Sequence, residues 1–244
     1  MGKLSTALKH IGPLRRAVLT RRIARGVRGQ SDEAQIIRRL VGEVSAPKTF
    51  VEFGFHPAEF NCSELVRDHQ GLLVDGSKYQ VDDARRILPA SIRIEQRFLT
   101  LDNLDFIRAA FPALGVLSID VDGNDYWFLE ALLSTEPAVI CVEYNASFLR
   151  HVVTVPYDPE FDRAKKHPSG WYHGASLAAL AKLVASKGYY LADVAAGGGN
   201  AFFTRSGNLD PASAWRPTTL RDQMSASSSE EQWLAIQAMP FVAA

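Results

Sequence analysis

Two short apolar runs, each ending in acid and separated by one helix, constrain the fold of this chain more than anything else in it. Val116-Leu117-Ser118-Ile119 runs into Asp120-Val121-Asp122-Gly123, and Ala138 to Val142 runs into Glu143-Tyr144-Asn145. Between them, Asn124 to Leu133 has helical spacing. Two strands joined by a crossover helix run parallel. Ligands of open α/β sheets sit beyond the carboxyl ends of the strands, and here the conspicuous polar residues fall at that place twice in succession.

The rhythm continues on both sides. Thr49-Phe50-Val51-Glu52-Phe53-Gly54 reads as a first strand, followed by a helix from Pro57 or Ala58 to Asp68. Gly71-Leu72-Leu73-Val74-Asp75-Gly76 reads as a second strand, and Ser77 opens a helix over Gln80 to Ile87. Ser91 to Phe98 is a third strand, and Leu101 to Ala110 is helical in pattern. Downstream, Gly174-Ala175-Ser176 leads into a helix that Gly188 stops. Tyr190 to Val194 and Ala201 to Thr204 are two last strands, joined tightly by Gly197-Gly198-Gly199-Asn200 and so antiparallel. Fully apolar strands alternating with helices predict an α/β fold, with a mostly parallel seven-stranded sheet and helices on both faces.

The flanks differ from this centre. Residues 1–47 are expected to form a basic amphipathic helical extension, with Ser31 capping a helix that runs to Val41. Residues 48–206 form the binding domain. Within them, residues 146–173 are a covering loop without periodicity, rich in proline and histidine. Residues 207–244 form an irregular tail with a terminal helix over Glu230 to Met239. Positive and negative residues number 27 each, yet residues 1–30 hold eight Lys/Arg and no acid. That arm fits packing against the domain or a second subunit. Peripheral membrane contact through residues 1–28 is the alternative, and no nucleic-acid partner is expected, since no aromatic–basic interleaving accompanies the charge. Cys62 and Cys141 make neither a disulfide framework nor a metal cluster. With no signal-peptide pattern and no long apolar span, a cytoplasmic location is the expectation.

Glu52, Gly54 and Asp75 make a first candidate site. A glycine directly after a strand lets backbone approach a ligand, and an acid ending the next strand can accept from both hydroxyls of a ribose. Each acid can equally serve as a turn former, but the 23 residues between Glu52 and Asp75 match one strand–helix–strand step. The turn lacks the repeated glycines of a pyrophosphate cradle, a loss that a phosphate-free adenosyl ligand tolerates. Asp120, Asp122 and Glu143 make a second site. They can converge on a hard cation such as Mg2+, with Asn145 as a further oxygen ligand, or act as bases toward a substrate hydroxyl. Asp122-Gly123-Asn124 also reads as an ordinary turn and helix start. His56 lies beside the first turn, and His167 and His173 lie on the covering loop; His56 and His173 are carried forward as candidate proton acceptors.

Val51-Glu52-Phe53-Gly54, Leu73-Val74-Asp75-Gly76-Ser77, the segment Ser118 to Trp127, and Val142-Glu143-Tyr144-Asn145 together resemble a class I S-adenosylmethionine-dependent methyltransferase. The resemblance is nearest to the FkbM-like group and a related bacterial set, and it covers residues 48–205. It implies a Rossmann-like fold and S-adenosyl-L-methionine as cofactor, held by Glu52, Gly54, Asp75, Ser77 and Asp120. It places the reaction zone at Asp120, Asp122 and Glu143, with a hydroxyl of a sugar, glycan or small metabolite as acceptor. Magnesium bound by Asp120, Asp122 and Glu143 is implied by some members of the fold, although Tyr144 stands where the metal-dependent pattern often has a second acid. Competing expectations are a non-catalytic adenine-cofactor-binding protein, and a membrane- or partner-binding protein that uses the basic arm.

Overall fold

The computed structural model describes residues 31–244, so the basic helices expected in residues 1–28 lie outside the described residues. In chain order the elements begin with α1 (Glu33–Glu43), β1 (Thr49–Phe53), β2 (Gln70–Asp75), α2 (Lys78–Ile87) and β3 (Ile92–Gln96). Then come α3 (Asp105–Arg108), β4 (Val116–Ile119), α4 (Asp125–Leu132), β5 (Val139–Glu143) and β6 (Val153–Thr154). The chain continues through α5 (Arg163–Lys166), α6 (Leu177–Ala185), β7 (Tyr190–Val194) and β8 (Asn200–Thr204). It closes with α7 (Pro211–Ala214), α8 (Thr219–Ser225), α9 (Ser229–Ile236) and β9 (Val242–Ala243).

Seven strands form one sheet in the order β3-β2-β1-β4-β5-β8-β7. The first five pair in parallel, and β8 runs antiparallel to both its neighbours. The order reverses between β1 and β4, which opens a crevice at their carboxyl ends.

Successive side chains of a strand point to opposite faces, and both faces are apolar. Val51, Phe53, Ile140 and Val142 pack with α4 and α6 through Phe128, Leu129, Leu132 and Leu180. Phe50, Val139 and Cys141 pack on the other face against Ile36, Ile37 and Leu40 of α1. Phe50 and Phe53 are fully buried, each contributing about 2–3 kcal/mol by removal from water. A smaller cluster of Phe148, Val155, Tyr172 and Ile236 joins the covering loop to α9. Ser176 caps α6 by accepting from the Ala179 N–H at 3.0 Å, and Gly188 ends that segment with φ +77°.

Four expectations are corrected. The helix over residues 57–68 is replaced by turns and a 3-10 segment, Ser63–Leu65. The cause is Glu52, whose carboxylate takes the N–H groups of Asn61 and Cys62 at 2.8 Å each, so those amides are drawn to a side chain. The helix over 101–110 breaks into a 3-10 turn, Leu101–Asn103, and the short α3. There the Asn103 side chain bonds back to the Thr100 N–H and the Phe98 carbonyl, tightening the turn. Asp32, not Ser31, sits at the N-cap of α1, because the Ser31 N–H donates to Glu33 instead. Residues 207–231 are not irregular throughout: they hold α7, capped by Asp210, and α8. The Thr219 N–H, at the start of α8, donates to the Gly197 carbonyl. Among the described residues no helix is long and apolar enough to cross a membrane.

Candidate functional site

A cavity of about 1180 Å³ lies over the carboxyl ends of β1, β2, β4 and β5. Glu52, Gly54, His56, Asp75, Ser77, Asp120, Asp122 and Glu143, expected to share one site, all line it.

At the β1–β2 end the carboxylates are met by nearby backbone. Glu52 is buried, and burial pushes its carboxyl up to about 7 against the two amides that pull it down. Its oxygens therefore hold the loop after β1 while the residue also forms cavity wall. Gly54 has φ +80°, and a Cβ there would lie 1.4 Å from the Asp120 carbonyl oxygen. The glycine thus permits β1 to close against β4. Asp75 ends β2 half-buried, accepting from the Ser77 N–H at 2.6 Å. Burial raises its carboxyl, opposed by the backbone N–H groups of Ser77 and Phe55. Ser77 is the N-cap of α2 without a side-chain cap bond. The His56 Nδ1 accepts from the Ala58 N–H at 3.3 Å.

The acidic turn after β4 is built by Asp125, which accepts from the Val121 and Gly123 N–H groups at 2.9 Å each. Burial pushes this carboxyl up to about 6. The turn places Asp122 at φ +58°, a left-handed conformation that aspartate tolerates better than most residues. Asp122 pairs with Arg163 of α5. The same turn clamps the covering loop. The Asn124 side chain donates to the Asp158 carbonyl at 2.8 Å, and Trp127 Nε1 donates to the Val155 carbonyl at 2.9 Å. A Cβ on Gly123 would strike the Phe161 ring at 2.2 Å. Asp120 is half-buried on the cavity wall. Burial first, then the charges of Asp122, Asp125 and Glu52, raise its carboxyl well above the usual range.

Glu143, at the end of β5, faces His173 and Arg221. Its Oε2 lies 3.7 Å from His173 Nδ1, and its Oε1 lies 4.0 Å from Arg221 Nη2. Burial, then the neighbouring acids, raises the Glu143 carboxyl well above the ordinary range, while Arg221 opposes the rise. Burial, then Arg221, drives His173 well below its ordinary value. Arg221 also bonds Asn145 Oδ1 at 2.6 Å and Ser147 Oγ at 3.1 Å. Asn145 is fully engaged: its amide donates to the Trp171 and His173 carbonyls, and its oxygen also accepts from Ser147 N–H.

The expected magnesium set is brought together only in part. Among the described residues, the donors that come within 4.8 Å of one another are those of Asp122, Glu143 and His173, without Asp120. The Asn145 oxygen is already taken, and Asp122 is paired with Arg163. Sequence reasoning missed Arg221 altogether. It lies in a polar stretch with no apolar period, and nothing local marks an arginine that will be buried.

The sequence matches no family profile and no curated protein. Among solved structures, the chain is similar to the N-terminal domain of EvdMO1, crystallised in the presence of SAH and D-fucose. That likeness has 13% identity and a TM-score of 0.47, covering 78% of this chain and 94% of that one. It is similar to the methyltransferase domain of bacterial CtHen1-C at 17% identity and a TM-score of 0.46, over 73% and 98% of the two chains. For magnesium protoporphyrin IX methyltransferase from Synechocystis PCC 6803 with bound SAH, the values are 11%, 0.43, 71% and 82%. These are likenesses of chain course. The strand order, with an antiparallel strand between β5 and β7, defines a Rossmann-like α/β fold. What this chain does at its strand ends rests on its own residues.

Proposed function

We propose that the protein is an S-adenosylmethionine-dependent methyltransferase, FkbM-like in kind, acting on a hydroxyl of a sugar, glycan or small metabolite. The observation that carries this reading is the continuity of the cavity, which joins the Asp75 end to the Asp120–Glu143 end in one space. A ribose accepted by Asp75 would place the adenosyl group over β1 and β2. The sulfonium would then point toward Asp120, where buried acids favour positive charge. The covering loop, held by Asn124 and Trp127, and α8 stand over the other end. With both ligands bound, that arrangement would exclude water and align nucleophile, methyl carbon and sulfur.

Calorimetric titration with S-adenosylmethionine, S-adenosylhomocysteine and NAD tests the cofactor reading. Binding of both sulfur ligands but not NAD is expected. Binding of NAD alone would favour the adenine-cofactor protein instead, and binding of neither sulfur ligand rejects the proposal. Transfer of tritium from methyl-labelled S-adenosylmethionine to a panel of sugars and nucleotide sugars then tests the acceptor class.

A further inference from the structure

We propose that Arg221 fixes His173 as the neutral tautomer protonated at Nδ1, and that this closes the Asp122–Glu143–His173 cluster to divalent cations while keeping Glu143 an uncoordinated base. Two facts of the cluster would by themselves suggest a metal centre. Glu143 Oε2 and His173 Nδ1 are both buried without a hydrogen-bond partner, and they face each other at 3.7 Å. Such a separation exceeds a hydrogen bond and suits two ligands of one ion with bonds near about 2.1 Å.

The other ring nitrogen decides between the readings. His173 Nε2 lies 2.9 Å from Arg221 Nη2. Guanidinium has donors and no acceptor, so Nε2 must be the accepting nitrogen. A neutral imidazole with a lone pair at Nε2 carries its proton at Nδ1, toward Glu143. An ion at Nδ1 would need the opposite tautomer, whose Nε2–H would oppose an arginine N–H. Arg221 cannot readily turn away, since it is largely buried and its Nη1 bonds Asn145 and Ser147. Asp120, Asp122 and Asp125 act on Glu143 from the β4 side and Arg221 opposes them from α8, while Arg163, which pairs with Asp122, acts with Arg221 on His173, and Asp222 acts on Arg221.

On the methyl-transfer reading, on which this step rests, the Glu143 carboxylate takes the acceptor's hydroxyl proton. The oxygen–methyl bond forms as the methyl–sulfur bond breaks, leaving a neutral thioether and a protonated Glu143 that returns its proton to water. Glu143 would be the catalytic residue; Arg221 and His173 would be positioning residues.

Long-range proton–nitrogen spectra of the full chain labelled at histidine nitrogen test the tautomer without cofactor or acceptor, with His173→Gln providing the assignment. The expected wild-type spectrum shows His173 protonated at Nδ1 and unmoved by MgCl2, MnCl2 or ZnCl2. Arg221→Met should release the tautomer and bind Zn2+ at least about tenfold more tightly than wild type, while Arg221→Lys, which keeps a charged donor, should stay nearer wild type. His173 protonated at Nε2 in the wild type, or a His173 signal that moves with any of these ions, overturns the proposal. For an acceptor found in the tritium assay, Glu143→Gln should lower kcat by about 100-fold or more with S-adenosylhomocysteine binding unchanged. A kcat within twofold of wild type overturns the role of Glu143. Absence of cofactor binding in the wild type would instead sink the methyl-transfer reading and leave the tautomer result standing.

Discussion

The two acidic ends of the cavity are neutralised in opposite ways. At the β1–β2 end, Glu52 and Asp75 are satisfied by backbone N–H groups 20 or fewer residues away. At the β4–β5 end, the charged partners are side chains from distant segments: Arg163 reaches Asp122 across 41 residues, and Arg221 reaches His173 across 48. The first arrangement is complete once the adjoining loops fold. The second needs the covering loop and the C-terminal segment to dock. Rigid local wiring suits a ligand recognised the same way every time, whereas long-range closure suits a compartment that must admit and then enclose a variable one.

The most severe way to break this comparison is at the joint between the two ends. Gly54→Ala places a Cβ 1.4 Å from the Asp120 carbonyl oxygen, and positive φ leaves it no relaxed alternative. A stability loss of about 4 kcal/mol or more is expected in denaturant melts. A loss below about 1 kcal/mol would show that β1 and β4 can part at no great cost. Next in size, Asp75→Ala removes the proposed ribose acceptor. S-adenosylhomocysteine should bind about 100-fold more weakly by calorimetry, and unchanged affinity would remove Asp75 from the cofactor site.

A smaller effect should separate the ends. Asn124→Ala and Trp127→Phe each delete one clamp on the covering loop. Amide exchange over residues 155–161 should accelerate about tenfold, while S-adenosylhomocysteine affinity holds within a factor of two. Loss of cofactor affinity would mean that the ends are not independent. The smallest effect concerns pH. The Glu52 carboxyl is raised from 4.5 to about 7 in the folded chain, so folding favours its protonated form. Its contribution to stability is largest below 4.5 and declines as pH rises toward 7. Glu52→Gln should flatten that decline, read as a smaller difference in melting midpoint between about pH 5 and about pH 8; an unchanged slope would assign the titration elsewhere.

The same contrast explains what could be read from the chain alone. The strands β1, β2, β4, β5 and β8 were legible because each is a short, largely apolar run buried on both faces, and the acidic turn after β4 because its residues act on one another. The helix expected over residues 57–68 failed because its amides were claimed by Glu52, earlier in the chain, a tertiary contact that overrides local propensity. The motif Gly123-Asn124-Asp125-Tyr126-Trp127 was visible as a pattern. Its work was not, since Asn124 and Trp127 act on loop carbonyls at Asp158 and Val155. Arg221 was invisible for the same reason in stronger form. Its partners Asn145, Ser147 and His173 lie at least 48 residues away, and its own surroundings in sequence are polar.

The position of β8 has a consequence for the order of assembly. β8 separates β5 from β7 in the sheet, although β7 precedes it in the chain. As the chain is made, β1 to β5 can pair as they emerge, but β7 has no sheet neighbour until residue 204 has followed. β7 therefore joins the sheet only through β8, whether the hairpin closes before or after β8 pairs with β5. The Gly197-Gly198-Gly199 connection links these two late strands. It is also where the Thr219 N–H lands on the Gly197 carbonyl, so the wall that carries Arg221 is founded on the last part of the sheet to arrive.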